Sequence, residues 1–220
     1  MYKLLITLLF PLVYAQGQSD NSRSQQILDD MVAKFKSFPT VQLDFSAKVT
    51  QLQDKSEMKE EGKIWLKGNK YKLELLPSSI LYFNGVKLFQ YMPEVKEVNV
   101  TQPDMEQDNE DFQLLNPQSF LNLSSANFKS NLAKESTQFN RKVYEIDLYP
   151  VKLKTTKYSR IRLYVEKTSL QIVYLKAVMK DGARYELTFE PYNVQKSLPD
   201  KFFEFQPSQH PDVEVIDLTF

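Results

Sequence analysis

Few side chains in this sequence are equipped for chemistry, and their spacing limits what they can do. His210 is the one histidine, and none of the 220 residues is cysteine. Without cysteine there is no disulfide, no thiolate nucleophile and no cysteine-bound metal, and a lone histidine cannot build a multi-histidine cluster. A Ser-His-acid triad would have to pass through Ser208-Gln-His-Pro-Asp-Val213, and no recognisable nucleophile motif is present to meet it. Carboxylate catalysis needs a convergent pair, whereas Asp and Glu here fall on strand faces expected to be wet or in one acidic stretch. That stretch, 101–111, holds Asp104, Glu106, Asp108, Glu110 and Asp111 without a positive charge. It lacks the spacing and central glycine of a calcium loop, so a solvent-exposed loop is expected. No catalytic residue, cofactor or metal ligand emerges, and a secreted hydrolase is disfavoured.

Lysine plus arginine and aspartate plus glutamate both number 28, a balance that argues against a nucleic-acid partner. The 42% hydrophobic content, with 15 Phe, 12 Tyr and only 5 Gly, describes a folded chain rich in strand-favouring aromatics. One local imbalance stands out: Lys152, Lys154, Lys157, Arg160, Arg162 and Lys167 face only Glu166. A solvated sheet edge is the expectation, since lysine discourages edge pairing; docking to an acidic transport partner is the functional alternative.

The elements that position these residues follow from periodicity. Residues 1–15 are set aside as a signal peptide: Lys3 is a basic start, Leu4 to Val13 is almost wholly apolar, and Val13-Tyr14-Ala15 precedes the expected cleavage. The apolar run, interrupted by Pro11, falls short of the ~20 residues a membrane span needs. Residues 16–220 are then one domain, with no compositional linker. Ile27, Leu28, Met31, Val32 and Phe35 form a single stripe over 22–38, predicting a helix capped by Ser22 or Ser24 and stopped near Pro39. From Val41 to Val49 the period becomes two, as in an antiparallel strand with one wet face. The same alternation recurs at 62–67, 70–75, 143–149, 159–165 and 184–190, while 170–179 is apolar on both faces over part of its length. Gly68-Asn69 and Asp181-Gly182 are expected turns, and Asn84-Gly85 predicts a type I′ hairpin. A short helix is expected from Pro117 to about Leu123, and strands near 95–100 and 213–218.

An antiparallel sheet of this size must curl or split. With two short helices available to cover it, the expected architecture is mainly β with a helical lid (α+β): a curled antiparallel sheet forming an incomplete barrel around an apolar face. Leu43, Phe45, Ile64, Leu66, Leu73, Phe89 and Tyr91 are the candidates for that face, with an ordinary packed core as the plainer reading. Trp65 alternates with Ile64 and Leu66 and is expected outside the sheet or beneath a lid element.

Several segments in order resemble the LolA family of periplasmic lipoprotein carriers. They are Val41-Gln-Leu-Asp-Phe-Ser-Ala-Lys-Val49, Glu61-Gly-Lys-Ile-Trp-Leu-Lys67, Phe83-Asn-Gly-Val-Lys-Leu-Phe-Gln-Tyr-Met-Pro93, the run at 199–207, and Val213-Glu-Val-Ile-Asp-Leu218. The resemblance implies an unclosed barrel with a helical lid over an apolar cavity. It also implies a periplasmic chaperone that takes acylated lipoproteins from an inner-membrane lipoprotein-releasing transporter to an outer-membrane acceptor. A monomer is expected. A periplasmic lipid- or lipoprotein-sensing module is the alternative. Many members carry Arg-Pro after the Trp-containing strand, and that arginine is associated with lid closure. Here Lys67-Gly68-Asn69 stands in that place, so Lys67 is the one candidate lid contact, without the planar fork of a guanidinium.

Overall fold

The computed structural model describes residues 20–75, 77–103, 127–154 and 156–219. The expected signal peptide at 1–15, the carboxylates at 104–111 and the helix at 117–123 lie outside the described residues. Helix α1 (Asp20–Lys36) begins with Asp20 and ends with Lys34 and Lys36, charges that suit the helix dipole at each end. Its buried residues are Ser24, Ile27, Leu28 and Met31, which follow the apolar stripe. Ser24 is no cap: it lies inside the helix, fully buried, and its Oγ donates to Asn21 O and lies 2.8 Å from Ser130 Oγ.

Thirteen strands follow: β1 (Thr40–Thr50), β2 (Glu57–Lys67), β3 (Lys70–Leu75), β4 (Ser79–Phe83), β5 (Leu88–Met92), β6 (Glu97–Thr101), β7 (Phe128–Gln138), β8 (Arg141–Pro150), β9 (Tyr158–Glu166), β10 (Ile172–Met179), β11 (Arg184–Phe189), β12 (Asn193–Gln195) and β13 (Glu214–Asp217). They form one sheet in the order β13-β6-β5-β4-β3-β2-β1-β11-β10-β9-β8-β7, with β12 pairing beside β11 on β1. Every neighbouring pair is antiparallel except β13 with β6. The sheet is curled and open, an incomplete barrel with β7 and β13 at its two edges.

Several local expectations change. Strand β7 escapes the alternation test, because Lys134-Glu-Ser-Thr-Gln138 is polar throughout and a bulge between Leu132 and Lys134 breaks the period. It closes on β8 through Phe139-Asn140, whose φ values of 52° and 57° are the positive pair that a type I′ turn requires. Asn84-Gly85 is not such a turn, since positive φ occurs only at Gly85. Asn84 Oδ1 instead accepts the N–H groups of Val86 and Lys87 in a wider loop. The two-faced apolarity of β10 has a cause: a register shift between Ile172 and Tyr174 moves the inward face by one residue.

Strand β9 lies between β8 and β10, so Arg160 and Arg162 are not on a sheet edge, whereas Lys152, Lys154 and Lys157 lie in the β8–β9 loop. Its arginines serve the outer face. Arg162 donates to both oxygens of Asp147 at 2.7 and 2.6 Å and lies 3.6 Å from Glu145, and Arg160 stands 3.9 Å from Asp147. Both carboxylates are buried. The hydrogen bonds to Asp147 push the Arg162 guanidinium further toward its charged form.

Candidate functional site

Cross-strand register assigns each side chain to a face, because residues directly opposite share one. Along one line Val41, Leu66, Tyr71, Phe83 and Leu88 stand side by side across β1 to β5. A second line runs Leu43, Ile64, Leu73 and Leu81, and a third joins Ala47, Leu187, Leu175, Leu163, Ile146 and Leu132 from β1 to β7. Apart from Val41, residues of these lines belong to or pack against one apolar cluster, which also takes in Phe45, Phe189 and, from α1, Ile27, Leu28 and Met31. The helix packs along β7, where the Ser24–Ser130 bond and the Arg23–Glu135 ion pair fix it. Its far end turns back toward the middle of the sheet, where Phe35 and Phe38 meet Tyr192 edge-on at 5.9 and 5.7 Å.

The inner face is dry where it is deepest. Burial alone pushes the Tyr71 hydroxyl well above the usual tyrosine range, and its ring lies against Phe83 at 5.3 Å. Partly buried apolar side chains pack against this cluster, among them Val32, Phe35, Ile172 and Tyr185, together with Leu43 and Ala47 within the second and third lines. Among the described residues no three His, Asp or Glu side chains could hold a metal ion.

Of the seven candidates, Leu43, Phe45, Ile64, Leu66 and Leu73 share this face. Phe89 and Tyr91 do not. Phe89 stands opposite Tyr82, in a line with Lys72 and Trp65, and Tyr91 stands opposite Ile80; both belong to the outer face. Alternation places Phe89 and Tyr91 together but leaves open which face is inner. The inner contribution of β5 is Leu88, the residue beside Phe89. The apolar sets Ile161/Leu163/Val165 and Tyr185/Leu187/Phe189 do point inward, yet period two alone does not show that β11 pairs with β1 while β9 stands two strands farther on.

The outer face of β2 to β6 is covered by the C-terminal segment. A 3-10 turn at Asp200–Phe203 puts Phe202 against Trp65 at 5.4 Å, and Phe205 packs between Tyr91 and His210 at 5.3 and 5.0 Å. Lys72 lies 5.0 to 5.3 Å from the rings of Trp65, Tyr82 and Phe202, with Glu74 Oε1 2.7 Å from its ammonium. Burial pushes the Tyr82 hydroxyl up to about 12. Lys67 contributes here: it donates to Leu198 O at 2.6 Å and to Asp200 Oδ1 at 2.9 Å, while the second helix expected for the lid lies outside the described residues. Lys70 meets Asp200 Oδ2 at 2.7 Å, and the two lysines pull that carboxyl down to about 2.

Among the described residues, an open, curled, mostly antiparallel sheet with one α-helix against its apolar inner face defines a half-barrel fold. The chain belongs to the LolA family: the model of the outer membrane lipoprotein carrier protein LolA matches residues 36–206. None of the curated proteins matches it by sequence. Among solved structures it resembles an uncharacterized conserved protein from Thermus thermophilus, with 9% identity and a TM-score of 0.58 over 89% of this chain and 99% of that one. It also resembles a DUF1329 family protein from Desulfovibrio piger, with 14% identity and a TM-score of 0.52 over 88% and 100%. The lipoprotein LppX of Mycobacterium tuberculosis aligns at 11% identity and a TM-score of 0.45 over 79% and 98%. Among the described residues no helix is long and apolar enough to cross a membrane.

Proposed function

We propose that this protein is a periplasmic carrier that holds the acyl chains of lipoproteins against its inner face and delivers them to the outer membrane. The observation that carries this reading is a continuous apolar sheet face on which Leu43, Ala47, Ile172 and Tyr185, with Val32 and Phe35 of α1, are only partly buried. Each methylene taken from water contributes about 0.8 kcal/mol, so a face of this extent can hold an acyl chain without a polar anchor. Family membership supports lipoprotein as the cargo. An inner-membrane releasing transporter would then load the carrier and an outer-membrane acceptor unload it. Residues 1–15 serve as the export signal, and 16–220 act as a single non-enzymatic domain.

Release requires that the face be uncovered. Helix α1 is held to β7 by the Ser24–Ser130 hydroxyl pair and the Arg23–Glu135 ion pair, and to the sheet face by burial of Ile27, Leu28 and Met31, so uncovering the face requires a docking receptacle that offers comparable burial. Mass spectrometry of the protein purified from periplasm tests the reading: acylated lipoprotein should leave with the wild type and be lost from Leu43→Asp. Folded wild type that carries no lipoprotein and binds neither an apolar fluorescent probe nor a long-chain acyl competitor would overturn it.

A further inference from the structure

One end of the half-barrel carries a feature that acyl binding on the inner face does not use. The loops leaving β1, β8 and β10 emerge there together. Gly182, between β10 and β11, comes so near the β1–β2 loop that a Cβ would lie 3.3 Å from Leu52 Cδ1. Lys180 bonds across to the β8–β9 loop twice, its N–H donating to Lys157 O at 2.8 Å and its ammonium to Leu153 O. Val151 N–H donates to Asn127 O at 2.9 Å. The loop between β8 and β9 is therefore held at three points, and its apex, Val151-Lys-Leu-Lys154, alternates apolar and cationic side chains with all four exposed. Val151 is 46% exposed, Leu153 52% and the adjoining Leu52 47%.

A fixed loop that shows water both branched apolar side chains and ammonium groups matches a lipid interface in composition. Apolar groups enter the boundary between headgroups and acyl chains, while lysines stay at the level of the phosphates. No acidic residue occurs from 151 to 157. An acidic protein surface would answer the lysines and leave Val151, Leu153 and Leu52 unmatched. We propose that this end is a membrane-contact surface for anionic phospholipid, with Val151 and Leu153 entering the interface and Lys152 and Lys154 meeting lipid phosphates.

The contact goes beyond the carrier reading and stands without it, although the two share an orientation. The half-buried Phe128, Met179 and Tyr185 of the inner face lie at this same end, opposite Pro150, Tyr158 and Val49. A molecule seated on these loops would hold that end of its inner face toward the lipid.

Co-sedimentation of the full chain with phosphatidylglycerol-containing vesicles, and with vesicles of phosphatidylcholine alone, tests the proposal. The wild type should prefer the anionic vesicles. Val151→Ser with Leu153→Ser, and separately Lys152→Glu with Lys154→Glu, should each weaken that partition roughly tenfold. Val86→Ser, at an exposed position on the opposite end, should change nothing. All variants share the same N-terminal residues, so differences among them report on the loop, and circular dichroism confirms equal folding. A wild type without preference for anionic vesicles, or both double variants binding as it does, would overturn the proposal. So would capture of an acidic protein in place of vesicles, which would assign the loop to a protein partner. Loss of acyl-probe binding with vesicle binding intact would count against the carrier reading alone.

Discussion

The ring of Phe45 lies across Gly62, the residue opposite it on β2: a Cβ added there would fall 2.4 Å from Phe45 Cζ and 2.7 Å from Cε1. Glycine in a strand interior weakens it and commonly marks such a close approach. Here it lets an aromatic side chain of β1 lie flat beneath the inner face, next to Phe189 at 6.3 Å. Gly62→Ala must therefore push the ring aside or part the strands, since Glu74 O is also only 2.9 Å from the new carbon. The expected loss of stability is about 1–3 kcal/mol. In a Phe45→Leu background the same substitution should cost less, and urea unfolding of the four proteins measures that coupling.

Adjacent positions on β1 should respond oppositely to charge. Phe45→Asp places a carboxylate among buried apolar groups at a cost of several kcal/mol, abolishing either folding or acyl-probe binding. Ser46 is exposed on the outer face opposite Glu61 and Thr188, so Ser46→Asp should stay within about 0.5 kcal/mol of wild type and keep binding. Equal damage from both would mean that the inner face has been assigned to the wrong side.

Removing Arg162 should be among the more damaging changes on the outer face. Asp147 would lose both of its short hydrogen bonds, leaving Arg160 at 3.9 Å, while Glu145 would keep Ser136 and the more distant Lys134. Orphaning a buried charge costs about 3–5 kcal/mol, and these remaining partners reduce the expected loss for Arg162→Met to roughly 2–4 kcal/mol. Arg162→Lys should recover only part of it, because an ammonium cannot donate to both carboxylate oxygens in the same plane. Thermal unfolding of the two variants checks the order.

The Asp200 contacts of the C-terminal segment should be lost in acid, loosening Phe202 on Trp65 while the buried Phe203 and Phe205 keep the segment in place. Asp200 has a depressed carboxyl, so its bonds to Lys67 and Lys70 contribute fully above its ordinary value of 3.8 and are lost as pH falls through about 2. Trp65, the one tryptophan, reports this directly because Phe202 packs on it. Its emission should shift toward that of a solvated indole between about pH 4 and pH 2. Asp200→Asn should show the shifted emission at neutral pH and lack the acid step. An unchanged acid step in that variant would place the titrating group elsewhere.

Much of the half-barrel is legible in the sequence, for a simple reason. An antiparallel strand with one buried face writes its orientation in every second residue, so β1, β3, β9 and β11 stand out with their inward sets intact. Sequence reasoning fails where period two is broken or ambiguous. The polar end of β7 and its bulge hide an edge strand, a bulge in β10 mixes its two faces, and β5 offers aromatics on one side and Leu88 on the other. The preference of aromatic residues for burial points Phe89 and Tyr91 inward. Tyr91 is in fact covered on the outside by Phe205, more than a hundred residues away in the chain, and Phe89 shares that outer face.

Local alternation and composition need no partner to be read, so the class of fold and the absence of thiol or multi-histidine chemistry follow from the chain alone. Three outcomes do not: which apolar face is inner, that Lys67 holds the C-terminal segment, and that the basic residues of β9 pair with buried carboxylates of β8. Those depend on strand order and on which segment returns to cover which face. Such contacts join residues far apart in the chain, and no local period carries them.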